Sequence, residues 1–234
     1  MVSTRWWQRS PLRVLRKSRK TRLSRKRQSP RNRKIPKSNG LRLVIGLGNP
    51  GLDYAQTRHN AGFLALDAIA ETHGCRFHRP LFRRYLSADF VRDSGVSIRL
   101  LKPLTYMNRS GEVIPRVQRR LGIDVADIIV ICDQLDLPTG TVRIKRGGGT
   151  GGHRGLRSLV AELGSDAFVR VYVGVDKPVG RDAVVNHVLG VPEGDEAVRF
   201  AQGIETARDA TLRIIDASIE EAMNEYNRRG TGAS

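Results

Sequence analysis

Four side chains in this sequence have the types and settings for chemistry: His59 and Asp133, which can move or hold a proton, and the amides of Asn49 and Asn108. The short apolar run Leu43-Val-Ile reads as a buried strand. It breaks at Gly46, Gly48, Asn49, Pro50 and Gly51, which are strong turn signals. Asn60 then opens an amphipathic run with Phe63, Leu66, Ile69 and Ala70 at helical spacing, and its amide is the expected N-cap. His59 therefore falls on a loop, just outside a helix N-terminus and past a strand end. Open α/β proteins bind ligands there, and an imidazole titrates near neutrality. The apolar strand Ile128–Cys132 runs directly into Asp133. A histidine and a carboxylate meeting past two strand ends make a base and its orienting partner. No protein nucleophile accompanies them: there is no G-x-S-x-G elbow, and neither Cys75 nor Cys132 stands at a turn. The pair points to activated water. Asn49 and Asn108 supply neutral amides suited to hold a carbonyl or an oxyanion. His73, His78, His153 and His187 fall at no zinc spacing, so no metal is expected.

Plainer readings compete at each position. His59 alone is a cap residue, Asp133 a turn or helix-cap aspartate, and Asn108 a turn residue. Gly46, Gly48 and Gly51 match G-x-G-x-x-G. The dinucleotide fingerprint, however, needs its helix to begin within the turn, and Leu52–His59 intervenes. The acidic residue expected about 20 positions on falls near Glu71, inside the helical pattern rather than at a strand end. The run Gly147–Gly155 reads either as a flexible linker or, flanked by Lys145, Arg146, Arg154 and Arg157, as a loop suited to a phosphate backbone. Tyr54, Tyr106 and Met107 are core residues or, set among polar loops, stacking faces for bases or a ribose.

The elements that position these residues alternate between strand and helix. Tyr85–Val91 and Val96–Lys102 read as a hairpin joined at Asp93-Ser-Gly95. Pro103–Gly111 reads as a loop, and Glu112–Leu121 as a helix capped by Gly122. The all-apolar Ile128–Cys132 is a strand buried on both faces, with Cys132 a small core residue. Thr141–Lys145 and Phe168–Val175 are strands, and Leu156–Leu163 and Val184–Val188 helices. Glu193–Asn227 is largely helical, with a break expected near Gly203. The sum is an α/β fold in a single domain, a mixed twisted β-sheet with helices on both faces.

The charge is uneven. Residues 1–40 hold 15 of the 41 Lys and Arg and none of the 23 Asp and Glu, so the net charge of +18 belongs mostly to them. Beyond Gly40, 26 basic residues face 23 acidic ones. This extension reads as disordered. It is an arm for nucleic acid, an organelle transit peptide, or the product of an early start, with the working protein beginning near Gly40. No apolar run approaches a membrane span. The two cysteines make no disulfide framework, which fits a reducing compartment.

From Leu41 to about Tyr226 the chain resembles the bacterial-type peptidyl-tRNA hydrolases. The matching blocks are Gly46-Leu-Gly-Asn-Pro-Gly51 with Tyr54, Thr57-Arg-His-Asn-Ala-Gly62, and Lys102-Pro with Tyr106-Met-Asn108 and Ser110-Gly111. Asp133 with Leu135-Asp136, Pro138 and Gly140 follows, then Gly147 to Leu156. The resemblance implies a domain over residues 41–228, monomeric and without cofactor or metal. It implies an esterase that frees tRNA from a stalled peptide at its 3′ acceptor end, in the cytoplasm, or in an organelle if the basic extension directs import. His59 matches the family's catalytic base and Asp133 the residue that keeps it basic. Asn49 matches the asparagine that binds the peptide part of peptidyl-tRNA. Tyr54, Tyr106 and Asn108 match substrate-contact positions. The chain departs from the family where Gly152-His-Arg-Gly-Leu156 replaces Gly-His-Asn-Gly-Leu. At Arg154 a guanidinium stands for an amide and cannot accept a hydrogen bond, but it can grip a phosphate or ribose edge. Asp133-Gln-Leu-Asp136 also replaces Asp-Glu-Leu-Asp. The competing functions are an idle relative acting as an RNA-binding, splicing-factor-like module and, from the glycine pattern alone, a nucleotide oxidoreductase.

Overall fold

The structure, a computed structural model, describes residues 40–178, 180 and 183–229. The basic extension and the three readings of it lie outside the described residues, apart from Gly40. Six strands form one sheet: β1 (Leu41–Gly46), β2 (Tyr85–Val91), β3 (Ser97–Pro103), β4 (Ile128–Gln134), β5 (Val142–Arg146) and β6 (Val169–Gly174), in the order β2-β3-β1-β4-β6-β5. The central strands β3, β1, β4 and β6 run parallel, while the edge strands β2 and β5 pair antiparallel to β3 and β6. This is the mixed sheet that the alternating pattern predicts.

Strand side chains alternate between faces, and here both faces are apolar. Val44, Ile129, Ile131, Val171 and Val173 pack on one side with α1 (Ala61–Thr72), α5 (Gly194–Asp216) and α6 (Ile219–Arg229). Leu43, Ile45, Val130, Cys132 and Tyr172 pack on the other with α2 (Ile114–Leu121) and α3 (Arg154–Leu163). A short helix, α4 (Ala183–Leu189), precedes α5. The chain leaves β1 for α1 on one face and reaches β4 from α2 on the other. The crevice past the carboxyl ends of β1 and β4 is therefore a topological switch point.

Three local expectations change. Pro103–Gly111 is not wholly loop: Met107–Val113 forms 3-10 turns, closed by Ser110 Oγ donating to Met107 O at 3.0 Å, and α2 begins only at Ile114. The break in the C-terminal helix is not at Gly203. There α5 passes so close to the Gly140 turn that a Cβ would lie 2.9 Å from Gly140 Cα, so the glycine permits an approach rather than a kink. The chain breaks instead at Ala217–Ser218, where Ser218 Oγ accepts from Glu221 N at 3.1 Å and caps α6. Asn60 does occupy the N-cap position of α1, but its side chain makes no capping bond. It is engaged with Asn49, as described next.

Candidate active site

The turn after β1 is held by one amide. Asn60 Oδ1 accepts from Asn49 N at 2.8 Å, and Asn60 Nδ2 donates to Asn49 O at 3.0 Å. Both Asn49 backbone groups are buried away from water, and pairing them outweighs a helix cap. The Asn49 side chain is itself aimed by its neighbour: Oδ1 accepts from Met107 N at 2.8 Å. Asn49 is 7% exposed. Its Nδ2 donates to no described residue, which leaves that N–H for the cleft.

His59 sits in a 3-10 turn, Arg58–Asn60, directly before α1. Its Nδ1 lies 2.8 Å from Asp133 Oδ1. A carboxylate only accepts, so Nδ1 carries the proton and Nε2 keeps its lone pair. Arg58 anchors this turn from behind. It donates through Nε and a terminal nitrogen to both oxygens of Glu196, at 2.7 and 2.5 Å, and also to His187 O, while its backbone N donates to Gly190 O. The residue before His59 is thereby tied to α4 and to the first turn of α5.

Asp133 is buried at the end of β4 and serves two imidazoles. His153 Nε2 lies 3.0 Å from the same Oδ1 that His59 faces. His153 is the N-cap of α3, and its Nδ1 accepts from Gly155 N and Leu156 N at 3.1 and 3.3 Å. Its tautomer is thus fixed with the proton on Nε2. Gly155 allows the tight seat: a Cβ there would lie 2.5 Å from Met107 Sδ. Burial alone would raise the Asp133 carboxyl, but the two imidazoles outweigh it and hold the group well below the usual carboxylate range. At His59, burial lowers the pKa, Asp133 more than offsets this, and the Arg154 guanidinium opposes Asp133. The net shift is upward.

One ligand atom each from His59, Asp133 and His153 falls within a 4.8 Å group. That donor set suits protons rather than a resident cation. A metal on His153 Nε2 would drive its proton to Nδ1, against the two backbone N–H donors already there.

The structure brings His59 and Asp133 into contact and sets Asn49 beside Met107, in the crevice past β1 and β4. Tyr106, 61% exposed, and Asn108 flank Met107. Tyr54 is half-buried in the turn after β1, and Arg154 is exposed at the start of α3. Among the described residues no hydrogen bond joins Tyr54, Tyr106, Asn108 or Arg154 to the His59–Asp133 group. His153 and Arg58 fall inside the blocks that carry the resemblance, but sequence reasoning assigns neither a role in the site. The signal for His153 was its place between a strand and the first turn of a helix, obscured because histidine is an uncommon N-cap. Nothing local marks Arg58, whose partner lies 138 residues away.

The profile of the peptidyl-tRNA hydrolase family matches residues 43–233. The peptidyl-tRNA hydrolase of Bacillus cytotoxicus is 40% identical over 187 residues, covering 80% of this chain and all of that protein. That of Syntrophotalea carbinolica is 41% identical over 189 residues, covering 81% and 98%. The crystal structure of peptidyl-tRNA hydrolase from Acinetobacter baumannii superposes with a TM-score of 0.76 at 35% identity, covering 81% of this chain and 97% of that one. With a family profile over most of its length and relatives spanned almost end to end, this chain belongs to the peptidyl-tRNA hydrolase family.

Proposed function

We propose that this protein hydrolyses the ester between a peptide, or an N-blocked aminoacyl group, and the 3′ end of tRNA. The observation that carries the mechanism is the His59 Nδ1–Asp133 Oδ1 contact of 2.8 Å, which leaves Nε2 as a base. His59 Nε2 takes a proton from a water as its oxygen attacks the ester carbonyl. Asp133 stays ionised and stabilises the imidazolium. When the tetrahedral intermediate collapses, the ester C–O bond breaks and the imidazolium returns the proton to the leaving ribose oxygen. The products are a peptide carboxylic acid and a tRNA with a free 3′-terminal hydroxyl. Asn49, its Oδ1 already accepting from Met107 N, offers Nδ2 to a carbonyl of the peptide part. A free aminoacyl ester lacks that second carbonyl and presents an ammonium instead, so Asn49 separates the two substrates.

In this reading Tyr54, Tyr106, Asn108 and Arg154 contact the RNA end. The protein acts as a monomer in the cytoplasm, without cofactor or metal, and organelle import by the basic extension is the alternative. The identity of its relatives favours the enzyme over an idle RNA-binding module. The test is incubation of the purified full chain with N-acetyl-aminoacyl-tRNA and, separately, aminoacyl-tRNA. Release of the blocked amino acid well above the free one supports the reading. Tight binding of both with release of neither refutes it.

A further inference from the structure

β2 and β5 are opposite edges of the sheet. The glycine run follows β5, whereas a second basic feature lies beside β2. The segment Arg79–Arg84 leads into β2 and carries Leu81 and Phe82 at its tip, 78% and 91% exposed. Phe82 holds φ at 59°, a left-handed conformation that costs a residue with a side chain about 1–2 kcal/mol. An aromatic ring held in strain and buried against nothing does not serve the core. The turn is fixed all the same: Arg83 N donates to Pro80 O at 3.0 Å and Arg79 Nε to Arg83 O at 2.8 Å.

Facing this turn, α2 presents Arg116 and Arg120, four residues apart on one helix face. Together with Arg83, Arg84 and Arg99 they line a cleft of about 200 Å³ that Phe82 also borders. The lining holds one acid, Glu112, which Arg84 and Arg109 already engage, and Arg99 is paired with Asp89. Among the described residues Arg83, Arg116 and Arg120 pair with no carboxylate.

We propose that this cleft is a second RNA-binding surface, where Phe82 stacks on an unpaired base and Arg83, Arg116 and Arg120 hold the flanking phosphates. The proposal rests on the reading that this protein handles RNA. Unpaired guanidiniums beside an exposed ring are the chemistry that grips a single strand. Position favours the same partner. The 3-10 segment Met107–Val113 starts at the Asn49 contact and ends in Glu112 and Val113 of the cleft lining. Seven residues of 3-10 helix span about 14 Å, so one RNA can occupy both places. An anionic lipid surface also takes basic and apolar side chains. Here, however, the arginines line a concavity rather than ring a flat apolar face.

The test uses the full chain, Phe82→Ala and the triple variant R83Q/R116Q/R120Q. Binding of an end-labelled single-stranded RNA of about ten nucleotides and of a tRNA is measured from about 50 to 200 mM salt, beside release from N-acetyl-aminoacyl-tRNA. Phe82→Ala is expected to weaken single-strand binding about 5-fold or more. The triple variant is expected to flatten the slope of log affinity against log salt by about 2. Both are expected to keep wild-type kcat. Affinities and slopes equal to wild type would overturn the proposal. So would loss of binding to phosphatidylserine vesicles with RNA binding intact, which would mark a lipid surface. Failure of the wild-type chain to release the blocked amino acid refutes the hydrolase reading instead and leaves the cleft result to be read on its own.

Discussion

His59 and His153 aim ring nitrogens at one atom, Asp133 Oδ1, from 2.8 and 3.0 Å, with their ring centroids 5.1 Å apart. One carboxylate oxygen thus takes a proton bond from the proposed base and another from the cap of α3. The group needs no protonation change to be satisfied at rest, which suits a carboxylate that stays ionised while His59 cycles.

Removing the charge of Asp133 exposes that role. In Asp133→Asn, His59 loses the partner that lifts its pKa while burial continues to lower it. The acid limb of kcat/KM should move to lower pH, and kcat should fall by roughly 10²–10⁴-fold. A pH–rate profile that keeps its wild-type position would argue against the pairing.

Arg154 acts on the same titration with the opposite sign. Its guanidinium lowers the His59 pKa, so Arg154→Asn should shift the acid limb toward higher pH. Turnover measured across pH 5–9 (roughly the span about an ordinary histidine) reads the direction. A large gain in turnover at the plateau would mean that the guanidinium handicaps the enzyme. An acid limb that stays at its wild-type position would show that the guanidinium does not act on His59.

His153 couples the site to a helix end. His153→Ala removes the acceptor for Gly155 N and Leu156 N, and should cost about 1 kcal/mol, or about 2–4 °C in Tm for a chain of this size. It also strips Asp133 of one donor, so kcat should fall as well. Thermal unfolding and turnover measured together check both; a stable variant with full activity would mean that His153 supports neither the helix end nor Asp133.

The Arg58–Glu196 pair should report on pH. Its two side chains are 10% and 25% exposed. The Arg58 hydrogen bond holds the Glu196 carboxyl below its ordinary value. A depressed carboxylate contributes stability above its unfolded pKa and loses it as pH falls through the folded one. Glu196→Ala takes the carboxylate from a part-buried guanidinium that, among the described residues, keeps only His187 O as an acceptor, and should destabilise the protein by about 1–3 kcal/mol at neutral pH. The gap to wild type should narrow in acid. Equal stabilities at pH 7 would show that the pair is neutral.

Much of this architecture was legible in the chain. The apolar runs 43–45 and 128–132 announced the two strands that border the crevice, and the turn residues Asp93-Ser-Gly95 between two strand-like runs announced the β2–β3 hairpin. The resemblance brought Asn49, His59 and Asp133 together in one motif set. What escaped was long-range competition for polar groups. Asn60 has the sequence signature of a cap, yet it serves a buried backbone 11 residues back. Gly203 has the signature of a helix breaker, yet it answers to a turn near residue 140. Periodicity reports what one element wants, not what its neighbours require of it.

Whether His59 is the base is read from the single-turnover rate of His59→Ala on N-acetyl-aminoacyl-tRNA at saturating enzyme, with tRNA affinity measured on the same preparation. The rate should fall by at least about 10²-fold with affinity near wild type. A rate close to wild type would mean that His59 is not the base.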